Sequence, residues 1–168
     1  MMNYVSTAKA GALGALAMTV LMVIARALGM TTLNIEMALG SLLTQQIGAG
    51  SWILGLMMHL AIGGLLAQFY AFGFEVLTER ASGWIGAGFS VIHSSIAGLL
   101  MFWLGSIHPL MRNNGVIPAP GPFAIEYGML TAVAFIALHV VYGAWVGYWY
   151  AMRREVEVHP SEEMPRAA

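Results

Sequence analysis

Cysteine is absent from the 168 residues and charge is scarce, with seven Lys and Arg and eight Asp and Glu making up 9% of positions. Without cysteine there is no disulfide scaffold, no thiolate metal site and no covalently attached c-type haem. So little charge cannot cover the surface of a water-soluble enzyme, since ordinary soluble domains carry about 25% charged residues. A net charge of −1 leaves no footprint for nucleic acid, so no such partner is expected. Phosphate-binding loops, nucleophile arrangements and paired acid/base carboxylates are missing too, and the chain reads as no enzyme. What is present is apolar: 59% of the residues are hydrophobic, and the solvent this composition suits is a bilayer.

A spanning helix needs about 20 mostly apolar residues. Four stretches qualify, near 8–29, 51–74, 84–105 and 123–150. All six prolines (Pro109, Pro118, Pro120, Pro122, Pro160, Pro165) fall outside them, as uninterrupted helices in lipid require. Trp52 and Trp84 open the second and third stretches; Trp103 closes the third, and Trp145, Tyr148, Trp149 and Tyr150 close the fourth, as interfacial belts. The expected fold is therefore an all-α, integral membrane four-helix bundle, a single domain over 1–152 with a polar cytoplasmic tail at 153–168. Between the first two spans, Asn34 can cap a helix with Glu36 in its first turn. Ile35, Leu39, Leu42, Leu43 and Ile47 recur there at helical spacing, so a short amphipathic helix near 34–47 is expected on the outer interface. Lys9, Arg80, Arg153, Arg154 and Arg166 fall on one side, against Arg26 and Arg112 on the other. Both termini are thus expected to be cytoplasmic. A cleaved signal peptide fits less well, because the first span carries Arg26 and no small-x-small cleavage site follows.

Helices associate in lipid through small residues at spacing four. Gly11, Ala15, Met18, Met22 and Ala25 form such a stripe on the first span, and Gly55, His59, Gly63 and Ala67 on the second. Gly86, Ser90, His93 and Ala97 line the third, with Ser94 and Gly98 beside them, and His139, Gly143 and Gly147 the fourth. Gly63, Gly98, Gly143 and Gly147 are the expected packing glycines. Each of the three histidines sits on a packing face. At about 1.5 Å of rise per residue, His93 and His139 lie roughly 13 and 16 Å from the cytoplasmic end and His59 roughly 22 Å, so the first two can meet.

Three readings of these histidines stay open. Each imidazole can bond Ser90, Ser94, Ser95, Gln68, Tyr142 or a free carbonyl and set helix register. His93 and His139, with His59 left over, can hold a b-type haem, or the three can hold a divalent ion, although no intramembrane carboxylate stands near to complete its shell. Thirteen methionines, among them Met18, Met22, Met57 and Met58, add soft ligands suited to Cu(I) or, more simply, adaptable packing. A polar cluster near the outer face comprises Arg26, Glu36, His108, Arg112 and Glu126, the residue types of headgroup contact and interfacial ion pairing.

The motifs G-A-L-A-M-T (14–19), L-N-I-E-M-A-L-G-S-L-L (33–43), W-I-L-G-L-M-M-H-L-A-I-G (52–63), G-x-x-H-P-L (105–110) and H-V-V-Y-G-A-W-V-G (139–147) span most of the chain. In them it resembles an uncharacterised family of small bacterial four-helix integral membrane proteins. That resemblance implies four helices, an outer amphipathic connection, and one histidine in each of the last three helices: His59, His93 and His139, with His108 and Pro109 in the loop. Asn34 stands where such proteins often have aspartate, and Ser94 where they often have glycine. The resemblance implies a bacterial inner membrane as the setting and supplies no reaction. The leading expectation is a non-enzymatic accessory or assembly subunit of a larger membrane complex, in contact with lipid and with other membrane subunits or its own copies. The alternatives are a haem- or metal-binding membrane protein and an oligomeric small-solute or Cu(I) carrier.

Overall fold

The computed structural model describes residues 4–112 and 115–158, and among them there is no strand. Helix α1 is Tyr4–Ala27, α2 is Ile35–Thr44, α3 is Ala49–Val76 and α4 is Gly83–Ile107. A short 3-10 turn at Pro122–Tyr127 precedes α5, Met129–Val158. Four helices, α1, α3, α4 and the Met129–Arg154 part of α5, are long and apolar enough to cross a membrane. The chain is an all-α bundle of multi-pass character.

Side-chain caps set two of the boundaries: Asn34 Oδ1 accepts from the Met37 amide at 3.0 Å, and Ser82 Oγ from the Ile85 amide at 3.2 Å. The fourth long helix begins at Met129, not near 123. Phe123 and Ala124 are left-handed (φ 54° and 58°), and Gly128 has φ 102°, so the helical ladder cannot start earlier. At its far end α5 continues to Val158, so the expected tail at 153 starts inside a helix; residues 159–168 lie outside the described residues.

Helix α2 departs from the expected apolar stripe. Its buried residues are Glu36, Ala38, Gly40 and Ser41, while Leu43 and Ile47 are exposed and Ile47 lies beyond the helix. The reason is close antiparallel packing on the opening turns of α3. A Cβ on Gly40 would overlap the Ser51 carbonyl and one on Gly55 the Glu36 carbonyl, and Thr44 Oγ1 bonds Ser51 Oγ at 2.7 Å. Only small residues permit that approach.

Two tight pairs make the bundle. In one, α1 meets α3 where Gly11 faces the Gly63 carbonyl and Gly63 faces Ala15 Cβ. In the other, α4 meets α5 where Gly86 and Gly143 each face the other's carbonyl and Gly147 faces the Ser82 carbonyl. The pairs join through α1 and α5: Gly14 lies under Tyr142 and Trp145, Trp145 Nε1 donates to the Ala10 carbonyl at 3.0 Å, and the Tyr142 hydroxyl donates to the Gly63 carbonyl. By contrast α3 and α4 meet mainly at one end, where Phe89 covers Gly73 and stacks on Phe74 at 5.5 Å between centroids. Gly98, expected on a helix-packing face, lies instead under the Phe123 ring of the 3-10 turn.

Candidate functional site

Beyond that aromatic closure, the separation of α3 from α4 leaves a cavity of about 340 Å³. Its walls are apolar, with Met18 and Met22 from α1, Ile35 and Leu39 from α2, and Ile96, Leu100 and Met101 from α4. His59 of α3, His93 of α4 and His139 of α5 all line it. The rings of His93 and His139 stand edge to face, 4.8 Å between centroids.

Each ring is held through Nδ1. His59 Nδ1 lies 3.0 Å from Thr19 Oγ1, His93 Nδ1 lies 3.0 Å from the Tyr70 hydroxyl, and His139 Nδ1 lies 2.7 Å from the Phe135 carbonyl. Of the partners suggested by sequence, a backbone carbonyl serves His139, but none of the named side chains serves a ring. Ser90 bonds the Ala87 carbonyl, Ser94 and Ser95 that of Val91, Gln68 those of Tyr4 and Gly64, and Tyr142 that of Gly63. Serine in a helix satisfies itself on the preceding turn, which removes it from the pool. Thr19 and Tyr70 were missed as partners. A signal existed for Tyr70, which lies three residues after Ala67 on the His59, Gly63, Ala67 face.

The expected polar cluster divides. Glu36 is fully buried; its Oε2 lies 3.5 Å from Arg26 Nη1 and its Oε1 3.9 Å from His59 Nδ1, yet neither oxygen receives a hydrogen bond among the described residues. Arg26 Nη1 is spent on the Leu33 carbonyl at 2.9 Å. The carboxylate is therefore balanced by charge and by its place in the first turn of α2, where the helix dipole favours an anion. His108, also fully buried, contacts Ser41 Oγ at 3.2 Å and the Ala38 carbonyl at 2.9 Å, clasping α2 to the end of α4. Arg112 and Glu126 are exposed and join no ion pair among the described residues.

Thr19, His59 and Glu36 bring together a hydroxyl, an imidazole and a carboxylate. Both oxygens approach the same Nδ1, whereas nucleophilic catalysis needs them on opposite ring nitrogens. Among the described residues no three His, Cys, Asp or Glu side chains are grouped to hold a metal ion. An iron between two axial imidazoles, with each nitrogen about 2 Å away, would also hold the ring centroids about 6 Å apart, farther than His93 and His139 stand here. What the arrangement offers is a largely apolar chamber with three imidazole edges, one of which, His59, backs onto the Arg26 and Glu36 pair. No protein-family model matches the chain, and no curated protein or solved structure does either.

Proposed function

We propose that this chain is a non-enzymatic integral membrane protein, an accessory subunit of a larger membrane complex, and that the three-histidine cavity holds a small molecule taken from the bilayer. One observation carries the reading: His59, His93 and His139, from three helices, converge on one apolar cavity beside the gap between α3 and α4. Buried imidazoles that served only register would need no shared cavity, because polar contacts between helices are made pairwise. The setting we propose is the bacterial inner membrane with both termini cytoplasmic. Reporter fusions after Glu79 should then read as cytoplasmic and fusions at Gly115 as external, and the reverse pattern would overturn the orientation.

A second reading, soft-metal binding, is favoured by Met18, Met22 and Met101 lining the same cavity as the histidines. One preparation tests both. The full chain, extracted from native membranes in mild detergent, should carry a bound organic mass and co-purify with other membrane proteins, and replacing both His93 and His139 with Phe should remove the bound mass. A bare 18.0 kDa chain with neither would overturn the first reading. Stoichiometric copper lost in the same variant would establish the second.

A further inference from the structure

The cavity's hydrogen-bonding edges are specific enough to name the group they take, if the cavity is the binding site proposed above. A backbone carbonyl only accepts, so the bond from His139 to Phe135 places a proton on His139 Nδ1. In the uncharged ring the Nε2 lone pair is then an acceptor. At His93 the sense is reversed. The Tyr70 hydroxyl has no other hydrogen bond among the described residues, so it donates to His93 Nδ1, which leaves Nε2–H on His93 as a donor. Neither Nε2 bonds to any described residue, and both rings line the cavity.

A donor and an acceptor on two rings 4.8 Å apart, centre to centre, match one group that both gives and takes a hydrogen bond. A ligand carbonyl would leave His139 unanswered and an ether would do the same. A hydroxyl answers both. The lining includes neither Arg26 nor Glu36; the Glu36 carboxylate lies behind His59, 3.9 Å from its Nδ1, and is paired with Arg26, so no charged side chain at the His93 and His139 edges calls for a charged ligand. Ile62, Ile96 and Leu100 line the cavity and are also exposed, which makes them the sill where a tail would lie out in lipid. The volume, about 340 Å³, is at the small end of ligand pockets of about 300–1,000 Å³ and suits a head with the first part of a chain.

We propose that the cavity binds a neutral, membrane-dissolved alcohol or phenol with an apolar tail. Its hydroxyl donates to His139 Nε2 and accepts from His93 Nε2–H, and the molecule enters sideways past Ile96.

The test uses the full chain in nanodiscs of phosphatidylethanolamine and phosphatidylglycerol, labelled by light with a diazirine-bearing analogue of farnesol. Free farnesol and farnesyl methyl ether then compete with the label. The ether enters a bilayer at least as readily, so better competition by the alcohol reports the site and not the lipid. On the wild-type chain, labelling should concentrate in α4 and α5, and farnesol should compete about three- to tenfold better than the ether, the size of one hydrogen bond lost in a membrane protein. His139→Phe should bring that ratio to about one, and Ile96→Trp should reduce labelling itself. Equal competition by alcohol and ether on the wild-type chain would overturn the hydroxyl assignment while leaving the cavity as a binding site. Labelling spread over all helices in proportion to lipid exposure, and indifferent to Ile96→Trp, would overturn the binding site and the proposed function with it.

Discussion

The seam between α4 and α5 and the gap between α3 and α4 are built by neighbouring helices of one bundle, yet they could hardly differ more. At the seam, Gly86, Gly143 and Gly147 bring backbone against backbone, with no room for a single Cβ. At the gap, Ile62, Ile96 and Leu100 stand exposed, and the helices are joined by the Phe74 and Phe89 stack at one end and by the hydrogen bond between Tyr70 and His93. Both surfaces are apolar, so hydrophobicity does not separate them. In lipid a leucine gains nothing by leaving its neighbours for another leucine, and association depends on shape and on polar contacts. Glycine marks where helices fuse; branched residues mark where they stay apart.

The sharpest way to break this contrast is at the seam. Gly143→Leu should destabilise the bundle by about 3 kcal/mol or more, since the side chain would meet the Gly86 carbonyl and Ser90 with no space to relax. Equal thermal stability of this variant and the parent in detergent would remove the seam from the account. Next comes the buried carboxylate. Glu36→Ala should cost about 2 kcal/mol by leaving Arg26 uncompensated, below the 3–5 of a fully buried pair because Arg26 keeps 18% exposure. Arg26→Met in the same chain should recover part of the loss, and failure to do so would mean that the pair is not coupled. A smaller effect is expected at the histidines. His93→Phe should cost about 1 kcal/mol by freeing the Tyr70 hydroxyl, with an equal loss in Tyr70→Phe and no further loss in the double variant. Fully additive losses would dissolve that contact. Smallest of all, Ile96→Ala in the gap should change stability by under about 0.5 kcal/mol, within the range of unpacked surface positions. A loss as large as that at Gly143 would show the gap to be closed.

Much of the architecture was legible because lipid imposes a coarse grammar: long apolar runs, prolines pushed to the ends, small residues at spacing four. That grammar placed Gly63, Gly143 and Gly147 on packing faces and put His93 and His139 at matching depth. It could not place Glu36. An asparagine cap with an acid in the next turn is how many exposed helices begin, and nothing local shows that Gly40, Ser51 and Gly55 press α2 into α3 and bury that acid beside His59. Phe123 and Ala124 misled for a related reason. Their composition suits the start of a helix, but the left-handed backbone they adopt is imposed by seating the Phe123 ring over Gly98, a contact from another helix. Long-range packing decided in each case, and it leaves no periodicity to read.

The pairing of α1 with α3 and of α4 with α5 bears on how the molecule is made. Helices α1 to α3 hold their closest contacts among themselves, including the Arg26, Glu36 and His59 group, and none of these needs a residue after Val76. The later pair likewise seals its own glycine seam. Only when the two halves dock does Trp145 find the Ala10 carbonyl, Tyr142 the Gly63 carbonyl and Thr131 the Thr31 hydroxyl, the last at 2.7 Å across 100 residues of sequence. The contacts thus divide into two helix groups, each closed on itself, and one docking surface between them. The cavity is a product of that docking, and two fragments parted between Thr78 and Ser82, translated separately into one membrane, hold between them every contact needed to rebuild it.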